Sequence, residues 1–225
     1  MTKDWLPELL EHVHSWERLG KHTPERGQTF IGLPHDEKGA YTGGTWLHRL
    51  FPPLTEAELA DMEASLEVTL PSEFKEVFTT VNGLSFFDDM VVMYGWVNAR
   101  TAIFTLAQGM YSLRKLNTAD RPWDALPQHF FFGNLKRYTN THNRLYLDLE
   151  DNRIFLTEHQ YTAKPRASWG SLAELLTSEF KRAEGMFSVN GLRVIHPPSI
   201  DYEILDRALD LDVTARVAER KAKKK

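Results

Sequence analysis

Side chains that could do chemistry gather at two places in this cysteine-free sequence, both of them groups of carboxylates. Asp88-Asp89 follows Phe86-Phe87 in a segment expected to be a loop, and Asp148, Glu150 and Asp151 surround an expected turn. Paired acids can hold a cation or share one proton. Acids beside turns more commonly accept hydrogen bonds from backbone or water, so neither group is expected to be an active site. A second reading of Phe86–Asp89 is an exposed aromatic–acidic patch suited to a basic protein. Phe86, Phe87, Asp88, Asp89 and Trp96 are therefore the candidate partner-binding residues, with Trp96 equally able to serve as a core ring. Of the nine histidines, none pairs with another histidine or a carboxylate at helical i, i+4 spacing on a convincing face. His12 and His14, two apart on an expected helix, point to different sides.

The familiar catalytic patterns are absent from the sequence: no GxSxG elbow, no Walker A loop, no HExxH and no EF-hand loop. Gly43-Gly44 lacks the flanking glycines and lysine of a phosphate cradle. Zero cysteine excludes disulfide scaffolds, thiolate zinc sites, iron–sulfur clusters and thiol catalysis. No catalytic residue, metal or cofactor is expected. The charge is uneven. Residues 214–225 carry six Lys and Arg against Glu219, or +5, so the net −4 of the chain leaves −9 on the remainder. An acidic body steers toward a basic partner or simply keeps a protein in solution. Nucleic-acid binding is not expected, because a lysine-rich end without interleaved aromatics gives only weak, salt-sensitive contacts. The N-terminus has no apolar core or cleavage site of a signal peptide, and no apolar run approaches the ~20 residues of a membrane span. The expected location is the cytoplasm, with no membrane contact.

These residues need elements to position them. At 225 residues, with 42% hydrophobic and 12% aromatic content, the chain suits one domain, or one domain with appendages. Asp4 can cap a first helix bearing Leu6, Leu9, Leu10, Val13 and Trp16, with Gly20 as its stop. Glycine and proline are dense over residues 21–54, which predicts loops and short strands. Thr55 and Glu58 form a capping box ahead of Leu59, Met62 and Leu66. Phe74, Val77, Phe78 and Val81 make the core face of the next helix, and Asn82-Gly83 reads as its left-handed terminator rather than as a hairpin turn. Strands are expected over 90–96 and 130–134, and Arg144–Leu149 with Arg153–Leu156 is the best hairpin. Leu172, Leu175, Leu176 and Phe180 mark a third amphipathic helix. A last one begins near Ser199, with Ile204, Leu205, Ala208 and Leu209 or Leu211 able to dock and the basic residues at its C-terminal end, as the helix dipole favours. The expected organisation is an N-terminal helix and Gly/Pro-rich extension over 1–49, a core domain over 50–189, and a C-terminal helix with a basic end over 190–225.

The run Leu54-Thr-Glu-Ala-Glu-Leu59, then Leu66-Glu-Val-Thr-Leu-Pro71-Ser-Glu-Phe-Lys-Glu-Val-Phe78 and Val81-Asn-Gly83, resembles the SUKH superfamily, which includes the yeast cell-wall assembly regulators (Smi/Knr) and the Syd proteins. A Glu- and Leu-rich helix, an LP step, an aromatic–aliphatic helix and an NG stop occur in that order. Phe132-Gly133-Asn134, the Leu145–Asp148 hairpin and the Trp169–Leu176 helix resemble the family's second half, so the likeness spans about residues 50–185. It implies an α+β fold, helices packed on a twisted, largely antiparallel sheet. It also implies a protein-binding role without catalysis, most commonly an immunity protein that neutralises a polymorphic toxin, often a nuclease. The partner would then be a protein, such as a basic toxin domain. A scaffold or regulator of envelope processes is the alternative, and an enzyme using loop carboxylates the third.

Overall fold

The computed structural model describes residues 4–24, 27–35, 45–98, 111–137 and 143–195. The chain opens with α1 (Trp5–His14), which buries Leu6, Leu9 and Val13 as their spacing requires. Asp4 occupies the N-cap position but makes no side-chain cap bond. The helix does not run unchanged to Gly20. It tightens into a 3-10 turn (Ser15–Leu19) that keeps Trp16 buried and ends at Gly20. Three short strands follow, β1 (Lys21–His22), β2 (Thr29–Ile31) and β3 (His48–Leu50). Next come α2 (Glu56–Leu66), α3 (Ser72–Thr80), β4 (Leu84–Phe86), β5 (Val91–Met93) and the short α4 (Leu113–Asn117). The strands β6 (His129–Leu135), β7 (Asn143–Asp148), β8 (Ile154–Thr157) and β9 (Pro165–Trp169) lead into α5 (Leu172–Glu184).

The nine strands among the described residues form one sheet whose spatial order is the order of the chain, each antiparallel to the next. This is the α+β architecture expected from the sequence. Residues before 50 are continuous with the rest: α1 packs on α5, β3 pairs with β4, and their apolar side chains join a single core. The helix expected from Ser199 and its basic end lie outside the described residues.

Local chemistry explains the elements. The Thr55 hydroxyl accepts the Glu58 N–H (3.2 Å) while the Glu58 carboxylate accepts the Thr55 N–H (2.9 Å), which completes the capping box. Phe74, Val77 and Phe78 of α3 are buried. Asn82-Gly83 works differently from the expected terminator. The helix ends on an extended Val81, and the buried Asn82 amide holds both backbone groups of Trp96, donating to its carbonyl at 2.9 Å and accepting its N–H at 2.7 Å. Gly83, at φ +94°, lies so near Gly95 that a Cβ would stand 2.9 Å from its nitrogen. The dipeptide therefore serves close backbone approach, which only glycine permits.

Glu73 ties α3 to α5. Its two carboxylate oxygens accept the Leu172 and Ala173 N–H groups, both at 2.8 Å, placing negative charge on a helix N-terminus. Phe74 then meets Phe132 edge-on at 5.0 Å and Phe130 at 6.3 Å, packing α3 onto one face of the sheet. β6 is buried at every position. The expected hairpin pairs Leu145 with Leu156 and Leu147 with Ile154. It differs from a one-sided strand pair because Tyr146, on the opposite face, is buried too. The register of β6 on β7 shifts between Phe131 and Gly133. A methyl group on Gly133 would overlap the Val92 carbonyl oxygen of β5.

Candidate functional site

Strand pairing places Phe86–Asp89 at the turn between β4 and β5. Phe87, Asp88 and Asp89 all take left-handed φ values (51°, 53° and 62°), a conformation that costs non-glycine residues energy. Consecutive side chains of an extended strand point to opposite faces. The left-handed turn instead lets Phe86 and Phe87 enter the same core. Both are fully buried, with Phe87 edge-on to Trp16 at 5.6 Å and 4.9 Å from the Phe180 ring. Trp96 is buried as well. The expected exposed aromatic patch is thus not made by Phe86, Phe87 and Trp96, because burying these rings offsets the strain of the turn. Asp88 and Asp89 are half-buried. Asp88 accepts the Thr45 hydroxyl (2.5 Å), and Asp89 accepts the Ser85 hydroxyl (2.5 Å) and pairs with Arg49 of β3.

Beneath this turn lies a residue the sequence did not single out. His48 of β3 is fully buried, 4.5 Å from the Phe87 ring and stacked 5.8 Å from Phe180. Neither ring nitrogen has a hydrogen-bond partner among the described residues. Burial, and secondarily the charge of His14, push its pKa down to about 3, so at neutral pH it packs as an uncharged ring.

The opposite face of the sheet carries a different aromatic row. Phe131 pairs across to Tyr146 and Tyr146 to Phe155, with ring centroids 5.3 and 5.2 Å apart. His129 stacks on Tyr146 at 4.4 Å, its Nε2 3.7 Å from Asp148. Arg121 lies over Phe131 and Arg153 over Phe155. Burial first, then the carboxylates of Asp148, Asp124 and Asp151, push the Tyr146 hydroxyl up to about 12. Burial also lowers the pKa of His129, against the opposing pull of Asp148.

Beside this row stand three large side chains that the sequence reading gave no role: Trp123, Leu126 and Tyr161, 61%, 50% and 47% exposed. Asp124 joins their loops, accepting the Thr162 hydroxyl at 2.5 Å and the Ala163 N–H at 2.7 Å. Leu126 donates its N–H to His129 Nδ1 at 3.3 Å, and Arg121 donates to the Leu126 carbonyl at 2.5 Å. The available signal was Pro122-Trp-Asp-Ala-Leu-Pro127, an apolar loop bracketed by prolines. Among the described residues no group of three or more His, Asp or Glu is arranged to hold a metal ion, and no helix is long and apolar enough to cross a membrane.

A third cluster is structural. Glu179 of α5 is almost wholly buried, accepting from Arg182 Nε at 2.5 Å and pairing with Arg137, whose guanidinium lies over Trp169. Arg182 also donates to the Lys136 carbonyl at 3.2 Å, which fastens α5 to the end of β6. Glu179→Gln is expected to lower stability by about 2 kcal/mol in urea denaturation, below the usual cost of breaking a buried pair because both arginines remain partly exposed and can regain water. A loss under about 0.5 kcal/mol, within the scatter of ordinary surface changes, would contradict this role.

The model of the SMI1/KNR4 family (SUKH-1) matches residues 53–178, more than half of the chain, from the step before α2 into α5. The chain belongs to this family. No curated protein matches it. The SUKH-1 span contains the capping box, the β4–β5 turn, the aromatic row and Trp123, Leu126 and Tyr161, whereas α1 and β1–β3 precede it.

Proposed function

We propose that this SUKH-1 protein is a non-catalytic binding module of the cytoplasm, an immunity protein that neutralises a cognate toxin by covering it. The observation that carries this reading is the state of Asp88 and Asp89. The carboxylates with the best claim to acid–base work accept from Thr45, Ser85 and Arg49 and so hold a strained turn in place. Family membership supports it, since immunity is a common role of SUKH proteins. The −9 carried by residues 1–213 supports it as well, because an acidic body accelerates encounter with a basic nuclease.

Co-expression with the toxin-like product of a neighbouring gene tests the reading. Cells should survive, and the two proteins should purify as a stoichiometric complex whose association slows as salt is raised, with a smaller change in dissociation. Absence of both protection and complex formation would refute it. Several weak envelope-associated partners in place of one tight partner would favour the scaffold reading.

A further inference from the structure

We propose that the face formed by Trp123, Leu126 and Tyr161 is the docking surface for the protein partner, and that this partner presents an apolar projection surrounded by basic side chains. The inference rests on the protein-binding reading above and names its surface.

Three observations carry it. First, the three side chains are large and about half or more exposed, and they stand on neighbouring loops that Asp124 joins by bonding the loop of Trp123 to the residues just after Tyr161. Tryptophan and tyrosine dominate the energetics of protein interfaces, and large apolar side chains exposed on adjoining loops mark an interaction site. Second, the loop that carries Trp123 and Leu126 is anchored to the sheet. Leu126 is bonded to His129, which stacks on Tyr146, which packs against Phe155 on the sheet itself. A preorganised surface loses little side-chain freedom on binding.

Third, the surrounding charge has a sign. Glu150 and Asp151 are exposed at the β7–β8 turn, Asp148 is half-buried, and Asp124, Asp148 and Asp151 all act on the single Tyr146 ring. On these loops and the β7–β8 turn the carboxylates Asp124, Asp148, Glu150, Asp151 and Glu158 outnumber the cations Arg121, Arg153, Lys164 and Arg166, and the exposed tip of the turn, Glu150-Asp151, is wholly acidic. An apolar centre with an acidic border complements a basic surface.

The test uses the full chain and, as probe, an inactivated form of the toxin-like protein from the neighbouring gene. Trp123→Ser and Tyr161→Ser should each weaken binding at least tenfold, chiefly by faster dissociation, with circular dichroism and thermal midpoint unchanged. Glu150→Gln with Asp151→Asn should slow association and flatten its salt dependence. Val189→Ser is the control, an equally apolar and exposed site on a segment held by Arg18; it should bind as the wild type does. Wild-type binding that both aromatic variants match within threefold would overturn the surface while leaving the immunity reading intact. No binding by the wild type would overturn both. A wild-type dimer that Trp123→Ser converts to monomer would overturn it too, by assigning the face to a second copy of this chain.

Discussion

Replacing Gly133 with alanine is expected to cost about 3 kcal/mol or more, the upper end of overpacking effects. Gly133 sits on β6 opposite Met93 of β5. The added methyl would overlap the Val92 carbonyl oxygen and lie 3.3 Å from the Val92 carbonyl carbon and 3.4 Å from Met93 Cα. All three are backbone atoms, so no rotamer change relieves the clash. Relief requires β5 and β6 to separate where Val92 pairs with Asn134 and Met93 with Gly133, in the middle of the sheet. Domains of this kind are stable by only about 5–15 kcal/mol. A strongly lowered urea midpoint is the expected measurement, and a loss under about 1 kcal/mol would show that the ladder yields far more readily than packed backbone does.

Acid is expected to weaken the fold through His48. Its folded pKa, about 3, lies below the ordinary value of 6.5 that it regains on unfolding. The unfolded chain therefore binds a proton that the folded chain refuses. Stability from this source is complete above pH 6.5 and is lost as pH falls toward 3, and at pH 4 the loss is on the order of 3 kcal/mol. Carboxylates titrate over part of the same range, so the informative quantity is the difference from His48→Leu. That variant fills the site without a titratable ring. It should match the wild type near pH 8 to within about 1.5 kcal/mol, the usual cost of a volume-conserving core change. At pH 4 it should be the more stable of the two by about the amount given above. Parallel stability curves across pH 4–8 would contradict the assignment.

Much of the fold could be read from the sequence because its signals were local. The Thr55–Glu58 box, the apolar spacing of α3 and α5, and the alternation of the β7–β8 hairpin depend on residues within a few positions of each other, and the structure shows each of them. What could not be read depended on partners distant in sequence. Nothing near Glu73 announces that it caps a helix a hundred residues later, and nothing beside His48 announces three phenylalanine rings around it. Phe86-Phe87-Asp88-Asp89 misled for the same reason. As a sequence it is a loop with rings and acids to spare, but left-handed backbone turns the rings inward and Thr45, Ser85 and Arg49 take up the acids. The loops of Trp123 and Tyr161, thirty-eight positions apart, are joined by the bonds that Asp124 accepts from Thr162 and Ala163.

The strand order carries a consequence for assembly. Among the described residues every strand pairs only with its sequence neighbours, so the sheet can grow from one end in the order in which the chain is synthesised, without waiting for a distant strand. The helical layer follows the opposite rule. α1 lies against α5, and the Glu73 carboxylate waits for Leu172 and Ala173, so the first helix finds its seat only when the last described one exists. Until then Phe86 and Phe87, which meet Phe180 of α5, face a half-built layer. A nascent chain stalled before residue 172 would hold a nearly complete sheet with an uncovered aromatic surface, the kind of intermediate that chaperones capture.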